Sequence, residues 1–356
     1  MTENNDIEIA KLQHQVIGAE KCSADSGFVR NPHPESQWFK DAGLGLFIHF
    51  GISTVSSEID LSWGMIKDKP WDNYSISPDE YFALAKDFNP VNFNPEKWLS
   101  EAKQAGFKYA VFTTRHHDGF ALWPSKLGDY NISKYGFERD LVGEYVDACR
   151  KCGLKVGLYY SPPDWHYNRN YMSFAYSDMK NDCTFDENIT EITGTNHKPV
   201  KLQKKPDNWD KEYKAYVRGQ IEELMQNYGK IDILWFDGGS ELWDAISIEE
   251  IRELQPAIIV NPRMHSHGDF ETFECRLPEK APCGWWEHED IWAEGPWWAY
   301  MKQSKSYKSA LWFADEYKKV REMGGNFLIN VGPMSDGSMP EDVYVRFSEI
   351  KELLNK

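Results

Sequence analysis

Basic side chains are scarce in this sequence: 40 Lys and Arg stand against 56 Asp and Glu, for a formal charge of −16. A surface this poor in cations cannot replace the counterions of a nucleic-acid backbone or grip an anionic membrane, so both are excluded as partners. No apolar run approaches a membrane span, and Met1 to Gln15 lacks the apolar core of a secretory leader. The chain as written is therefore expected in the cytoplasm, or in the periplasm or outside the cell if a leader has been removed. Six cysteines do not make a disulfide framework. Cys149 and Cys152 have CxxC spacing, but Leu141, Tyr145, Cys149 and Cys152 repeat as one packed helix face. A Gly-x-Ser-x-Gly elbow is missing, which removes support for a Ser-His-Asp hydrolase, and without a phosphate-binding glycine loop no nucleotide cofactor is expected.

What the chain does have is aromatic surface. Phe, Trp and Tyr make up 15 % of it, with 15 Trp. Several stand in polar segments beside carboxylates, as in Trp285-Trp286 and Trp297-Trp298, where a flat apolar face with a polar tip suits the stacking of a sugar ring.

Short apolar runs alternate with helical periods from end to end. Gly43 to Gly51, Tyr109 to Thr114, Val156 to Ser161, Lys230 to Gly239, Ala257 to Val260 and Gly324 to Pro333 read as buried strands. Ser77-Pro78-Asp79-Glu80, Asn94-Pro95 and Ser247 with Glu250 read as helix starts, and Gly106, Gly153 and Gly229 as stops. At least six strand-helix units in 356 residues give a parallel sheet closed into a (β/α)8-like TIM barrel, distorted in places. Residues 36–356 form this barrel, and residues 1–35, without a sustained period, form an extension packed on its outside. The stretch from Asp164 to about Asp210 has no period and reads as a long functional or mobile loop. The region between Arg263 and Ser309 reads as an aromatic-rich loop.

His49, His116, His117, Tyr159, Asp237 and Arg263 all fall at or beyond the C-terminal ends of different strands, which converge on one mouth in a barrel. An acid at a central strand tip, among imidazoles, a phenol and indoles, suits glycoside hydrolysis, which needs one carboxylate at the anomeric carbon and a second acid for the departing oxygen. Asp237 is the candidate nucleophile. Asp269, Glu271, Glu274, Glu287 and Glu289 are all candidates for the second group, and spacing does not choose among them. The adjacent pair His116-His117 points to opposite faces if it is still in a strand, so no metal site is expected.

The segments Phe47-Ile48-His49-Phe50-Gly51, Thr114 to Phe120, Gly157 to Ser161, Trp235-Phe236-Asp237-Gly238 and Gly324 to Pro333 resemble, in order and separation, the α-L-fucosidases of glycoside hydrolase family 29. The resemblance runs from about residue 37 to residue 340. It implies a retaining exo-hydrolase that releases terminal fucose from oligosaccharides or glycoconjugates, without cofactor or metal. It places His49, His116, His117, Tyr159 and Trp235 around the fucose ring, makes Asp237 the nucleophile and Glu274 the acid/base, and sets Arg263 beside the nucleophile. Indole faces such as Trp63, Trp235 and Trp286 would then cover the sugar's methyl group. A retaining pair belongs about 5 to 5.5 Å apart, with Glu274 the less solvated and so protonated at rest.

The chain departs from the family pattern at Phe50, where members often have Trp, at Arg115, where they often have Lys, and at Ser62, where many have Glu before the Trp. Glu58 is the nearby residue that could replace that Glu. The C-terminal β-sandwich of many relatives is not expected here, and the Asp164 to Asp210 segment is its alternative for shaping the aglycone side. Related α-L-glycosidase action (on α-L-galactosides, for example), transfucosylation, and a catalytically silent sugar-binding module are the competing readings.

Overall fold

The computed structural model describes residues 3–21, 27–179, 190–304 and 306–354. In chain order the helices are α1 (Glu3–Ile17), α2 (Pro78–Ala83), α3 (Pro95–Gln104), α4 (Leu141–Cys152), α5 (Tyr176–Met179), α6 (Trp209–Asn227), α7 (Ile248–Leu254), α8 (Ala310–Glu322) and α9 (Glu341–Leu354). The strands are β1 (Leu44–Ile48), β2 (Tyr109–Arg115), β3 (Lys155–Tyr160), β4 (Glu191–Thr193), β5 (Pro199–Lys201), β6 (Ile233–Phe236), β7 (Ile259–Val260), β8 (Phe270–Glu274), β9 (Trp285–Ile291) and β10 (Asn326–Val331). Eight of them form one parallel sheet in the order β7-β6-β3-β2-β1-β10-β9-β8, and β4 and β5 make a separate antiparallel hairpin.

The sheet curls into a nearly closed barrel. At the seam between β7 and β8, the Asp269 amide donates to the Val260 carbonyl at 2.7 Å, and the Asp269 carboxylate accepts the Val260 N–H at 2.8 Å. Asp269 also takes the Asn31 N–H at 2.6 Å and Arg252 at 2.8 Å, so this acid serves the frame.

Side chains alternate across each strand, and the inward set builds its own core of Phe47, Tyr109, Val111, Tyr159, Ile233, Trp235, Phe270, Ile291 and Leu328. The outward set packs under the helices, where each fully buried Leu, Ile, Val or Phe contributes roughly 1.5–3 kcal/mol. Capping boxes at Ser77 with Glu80 and at Ser247 with Glu250 start α2 and α7, as the local sequence dictates. α4 starts at Leu141 under an Asp140 cap and buries Cys149 on its packed face.

Two segments differ from the sequence reading. The region between Arg263 and Ser309 contains β8 and β9, whose acids Glu274, Glu287 and Glu289 turn into the barrel where a soluble strand would carry apolar residues. Residues 3–17 form a helix that buries Ile9, Ala10, Val16 and Ile17. It reaches the barrel mouth rather than wrapping only the outside.

Candidate active site

Ile233, Trp235 and Asp237 lie two residues apart, so the alternation of β6 carries all three inward and sets the acid at the strand tip. There the Asp237 Oδ1 accepts Arg263 Nη1 at 2.8 Å and its Oδ2 accepts the Tyr159 hydroxyl at 2.7 Å. Tyr159 is Asp237's neighbour because β3 pairs Tyr159 with Trp235. The rings of those two stack 5.6 Å apart at 13°, and the Arg263 guanidinium lies 4.5 Å over the indole.

The histidines arrive from β1 and β2. A register step between Thr113 and Arg115 against consecutive Tyr159 and Tyr160 makes a bulge in β2. His116 and His117 lie past the end of β2, where strand alternation no longer applies, and their ring centroids are 4.0 Å apart. Asn330 donates its amide to the Trp298 carbonyl at 2.7 Å, which leaves its Oδ1 to accept His49 Nδ1–H at 2.7 Å and points a bare Nε2 at the cavity. His117 Nδ1 meets Ser161 Oγ at 2.6 Å, and its Nε2, 3.6 Å from Asp237 Oδ2, has no hydrogen-bond partner. His116 Nδ1 is held by Ser62 Oγ at 2.6 Å. Burial lowers the basicity of all three, His49 to about 4 and the other two well below the usual imidazole range, so they enter the site as neutral rings.

Three acids from β8 and β9 face the same interior. Glu274 Oε2 accepts Arg263 Nη2 at 2.7 Å and His14 Nε2 at 2.7 Å. Burial pushes this carboxyl up, but His14 and Arg263 outweigh it and hold it below the ordinary carboxylate range. With side-chain exposures of 9 and 11 %, Glu274 and Asp237 are about equally shielded, so the expected difference in solvation between them is absent, and the Arg263 guanidinium with the His14 ring beside Glu274 favours its carboxylate form. Glu287 sits deeper, accepting Trp235 Nε1 at 2.6 Å and the Tyr109 hydroxyl at 2.8 Å, and burial lifts it to about 7. Glu289 is fully buried, 3.6 Å from Arg263, with neither oxygen hydrogen-bonded, and burial raises its carboxyl well above the usual range. Glu271 is half-buried and lines no part of the cavity.

The cavity at this mouth is lined by His49, Trp63, His116, Tyr159, Trp235, Asp237, Arg263 and Glu274, together with Gln13, His14, Ile17, Phe47, Glu289 and Trp298. Trp63 is wedged among Trp71, Trp165 and His117 at 5.3–5.7 Å. Trp286 is not brought to the site: it is buried outside the barrel, donates Nε1 to the Met323 carbonyl at 3.3 Å, and lies so close to Gly325 that a Cβ there would meet its ring at 2.4 Å. Glu58 is at the surface, paired with Lys302, and does not replace the Glu that Ser62 displaces. Within the Asp164 to Asp210 segment, Trp165 packs on Trp63 at 5.4 Å and His117 at 5.2 Å, and residues 180–189 of that segment lie outside the described residues.

Sequence reasoning missed His14 and Trp298. Trp298 stood in a recognised aromatic pair, whereas nothing local to His14 marks it, since its partner is 260 residues away. His116, His117 and Asp237 offer donor atoms within 4.8 Å of one another, the geometry of a cation site. Asp237 is, however, already taken by Arg263 and Tyr159, and a guanidinium beside it competes with any cation.

A family profile described as alpha-L-fucosidase matches residues 13–356. The tissue alpha-L-fucosidase of Bos taurus is 26 % identical over 338 residues, 85 % of this chain and 64 % of that protein. This chain spans 64 to 66 % of the length of the mammalian relatives from Bos taurus and Mus musculus. Alpha-L-fucosidase isoenzyme 1 from Paenibacillus thiaminolyticus superposes with a TM-score of 0.73 at 31 % identity, over 90 % of this chain and 75 % of that one. A GH29 alpha-L-fucosidase from Bacteroides thetaiotaomicron, solved as a covalent intermediate trapped with 2-fluoro-fucosyl fluoride, superposes with a TM-score of 0.72 at 25 % identity, over 93 % and 76 %. No helix among the described residues is long and apolar enough to cross a membrane.

Proposed function

Because the chain belongs to the α-L-fucosidase family, we propose that it hydrolyses terminal α-L-fucosyl linkages of oligosaccharides or glycoconjugates through a covalent glycosyl-Asp237 intermediate. The observation that carries this reading is the clamp of one guanidinium, Arg263, on two carboxylates from different strands, Asp237 at 2.8 Å and Glu274 at 2.7 Å.

In this reading Asp237 attacks the anomeric carbon, with Tyr159 and Arg263 fixing the orientation of its oxygens and stabilising the charge it carries before attack. Glu274 protonates the departing oxygen and then activates the water that cleaves the intermediate. The bare imidazole nitrogen of His49 accepts a sugar hydroxyl, and Glu289 at the cavity wall contacts another. Phe47, Trp63 and Trp298 supply apolar walls for the deoxy carbon.

The test is release of nitrophenol from an aryl α-L-fucoside by the wild type and by Asp237→Ala. Turnover by the wild type and a loss beyond roughly a thousandfold in the variant support covalent catalysis by Asp237. An inert wild type, or a variant that keeps its rate, rejects it.

A further inference from the structure

His14 stands outside the barrel, on α1, and yet its Nε2 lies 2.7 Å from Oε2 of Glu274. The contact is prepared on both sides. α1 is docked at its C-terminal end by Gly239 N–H to the Ile17 carbonyl at 2.8 Å and Ser240 N–H to the Gly18 carbonyl at 3.0 Å, and Glu20 N–H reaches the Arg263 carbonyl at 2.9 Å. The segment that presents His14 is thus tied to the loop of the candidate nucleophile and to the arginine that grips both acids. The imidazole is 24 % exposed, whereas Glu274 is 9 % exposed, so the ring stands between a buried carboxyl and solvent.

We propose that His14 is a positioning residue for Glu274, holding Oε2 and sharing with it the one proton that the pair gives to the leaving group and takes back from water. The proposal rests on the reading of Glu274 as the acid/base. In that reading Glu274 has to begin with a proton, yet its neighbours favour the carboxylate. The 2.7 Å contact between His14 Nε2 and Glu274 Oε2 lets one proton sit on either atom, one short transfer apart. In the first step the bond from the anomeric carbon to the leaving oxygen breaks, the bond to Asp237 forms, and the proton passes from the pair to the leaving oxygen. In the second, water's oxygen bonds to the anomeric carbon, the bond to Asp237 breaks, and water's proton returns to the pair. The charged and titratable groups facing the pair are Arg263 from the β7–β8 loop, Glu289 from β9, Asp237 beyond β6 and His49 beyond β1. On α1 itself Lys11 is turned to Glu8 at 3.2 Å.

The experiment compares wild type and His14→Gln, whose amide can still donate to Oε2 but cannot carry a proton. It measures kcat/KM from pH 5 to 9 on 2,4-dinitrophenyl and phenyl α-L-fucosides, with the melting temperature as the check on folding. The first leaving group departs without protonation and the second does not. The expected result is a loss of about a hundredfold on the phenyl fucoside, little change on the dinitrophenyl fucoside, and an alkaline limb moved to lower pH. Equal losses on both substrates, or unchanged profiles, overturn the assignment and leave His14 a packing role. A faster variant also overturns it, since His14 would then obstruct the leaving group. A wild type inert on both fucosides fails the reading of the site and takes this assignment with it, an outcome distinct from the others.

Discussion

Gly238 lies against Ile17 so closely that a Cβ built on it would meet the Ile17 carbonyl oxygen at 2.3 Å, and its φ of +77° is one that side-chain-bearing residues rarely adopt. The glycine beside the candidate nucleophile therefore admits a helix end, and α1 closes the mouth because this approach is possible. Gly238→Ala is expected to lower stability by about 1–3 kcal/mol through backbone strain and to lift α1 from the mouth. Thermal melting, together with the rate of proteolytic loss of residues 1–21, checks this. A variant that melts and resists protease like the wild type would mean that α1 docks without this contact.

The same glycines show where the sequence could and could not be read. Lys230 to Gly239 announced a buried strand and an acid at its tip, because an apolar run ending in Asp-Gly-Gly fits few other structures. Nothing in that stretch indicated that Ile17, more than two hundred residues away in the chain, packs against Gly238. Strands β1, β2, β3, β6, β7 and β10 were legible for the same reason, as continuous apolar runs. β8 and β9 were not, because Phe-Glu-Thr-Phe-Glu and Trp-Trp-Glu-His-Glu-Asp-Ile alternate acids with aromatics like a half-solvated edge. In the barrel every second residue turns inward, which brings Glu274 and Glu289 to the polar mouth and Glu287 below it, while Glu271 and Asp290 face the other side. Trp286, adjacent to the inward Glu287, necessarily points outward by that alternation, which is why it packs on Gly325 instead of a sugar.

Ser62 does with one hydroxyl what sets the position of His116. Its Oγ lies 2.6 Å from His116 Nδ1 and accepts the Asp118 N–H at 2.7 Å, in a fully buried position. Ser62→Ala strands that buried N–H and releases the ring, so a stability loss of about 1–3 kcal/mol is expected, together with a fall in kcat/KM on an aryl α-L-fucoside. Chemical denaturation and steady-state kinetics read the two effects. If both stay at wild-type values, His116 is held by packing alone.

Glu289 makes stability depend on pH. Burial keeps its proton on in the folded chain to a pH above the ordinary value of about 4.3, so the unfolded chain releases that proton first. Its contribution is full below that ordinary value and is lost as pH rises toward the raised folded value. Glu287 works in the same direction up to about 7. Glu289→Gln removes the ionisation, so the melting temperature of the variant relative to wild type is expected to climb from pH 5 to pH 8. A difference that stays flat or falls over that range would show that Glu289 is ionised in the folded protein.

The central claim is that Asp237 becomes glycosylated. Incubation with 2-deoxy-2-fluoro-α-L-fucosyl fluoride, proteolysis and mass spectrometry of the peptides test it directly. The account predicts one added 2-fluorofucosyl group, on the peptide of residues 231–252 and localised to Asp237 by fragmentation. A label on Glu274 or Glu289, or turnover of the reagent with no covalent adduct at any point, would contradict it.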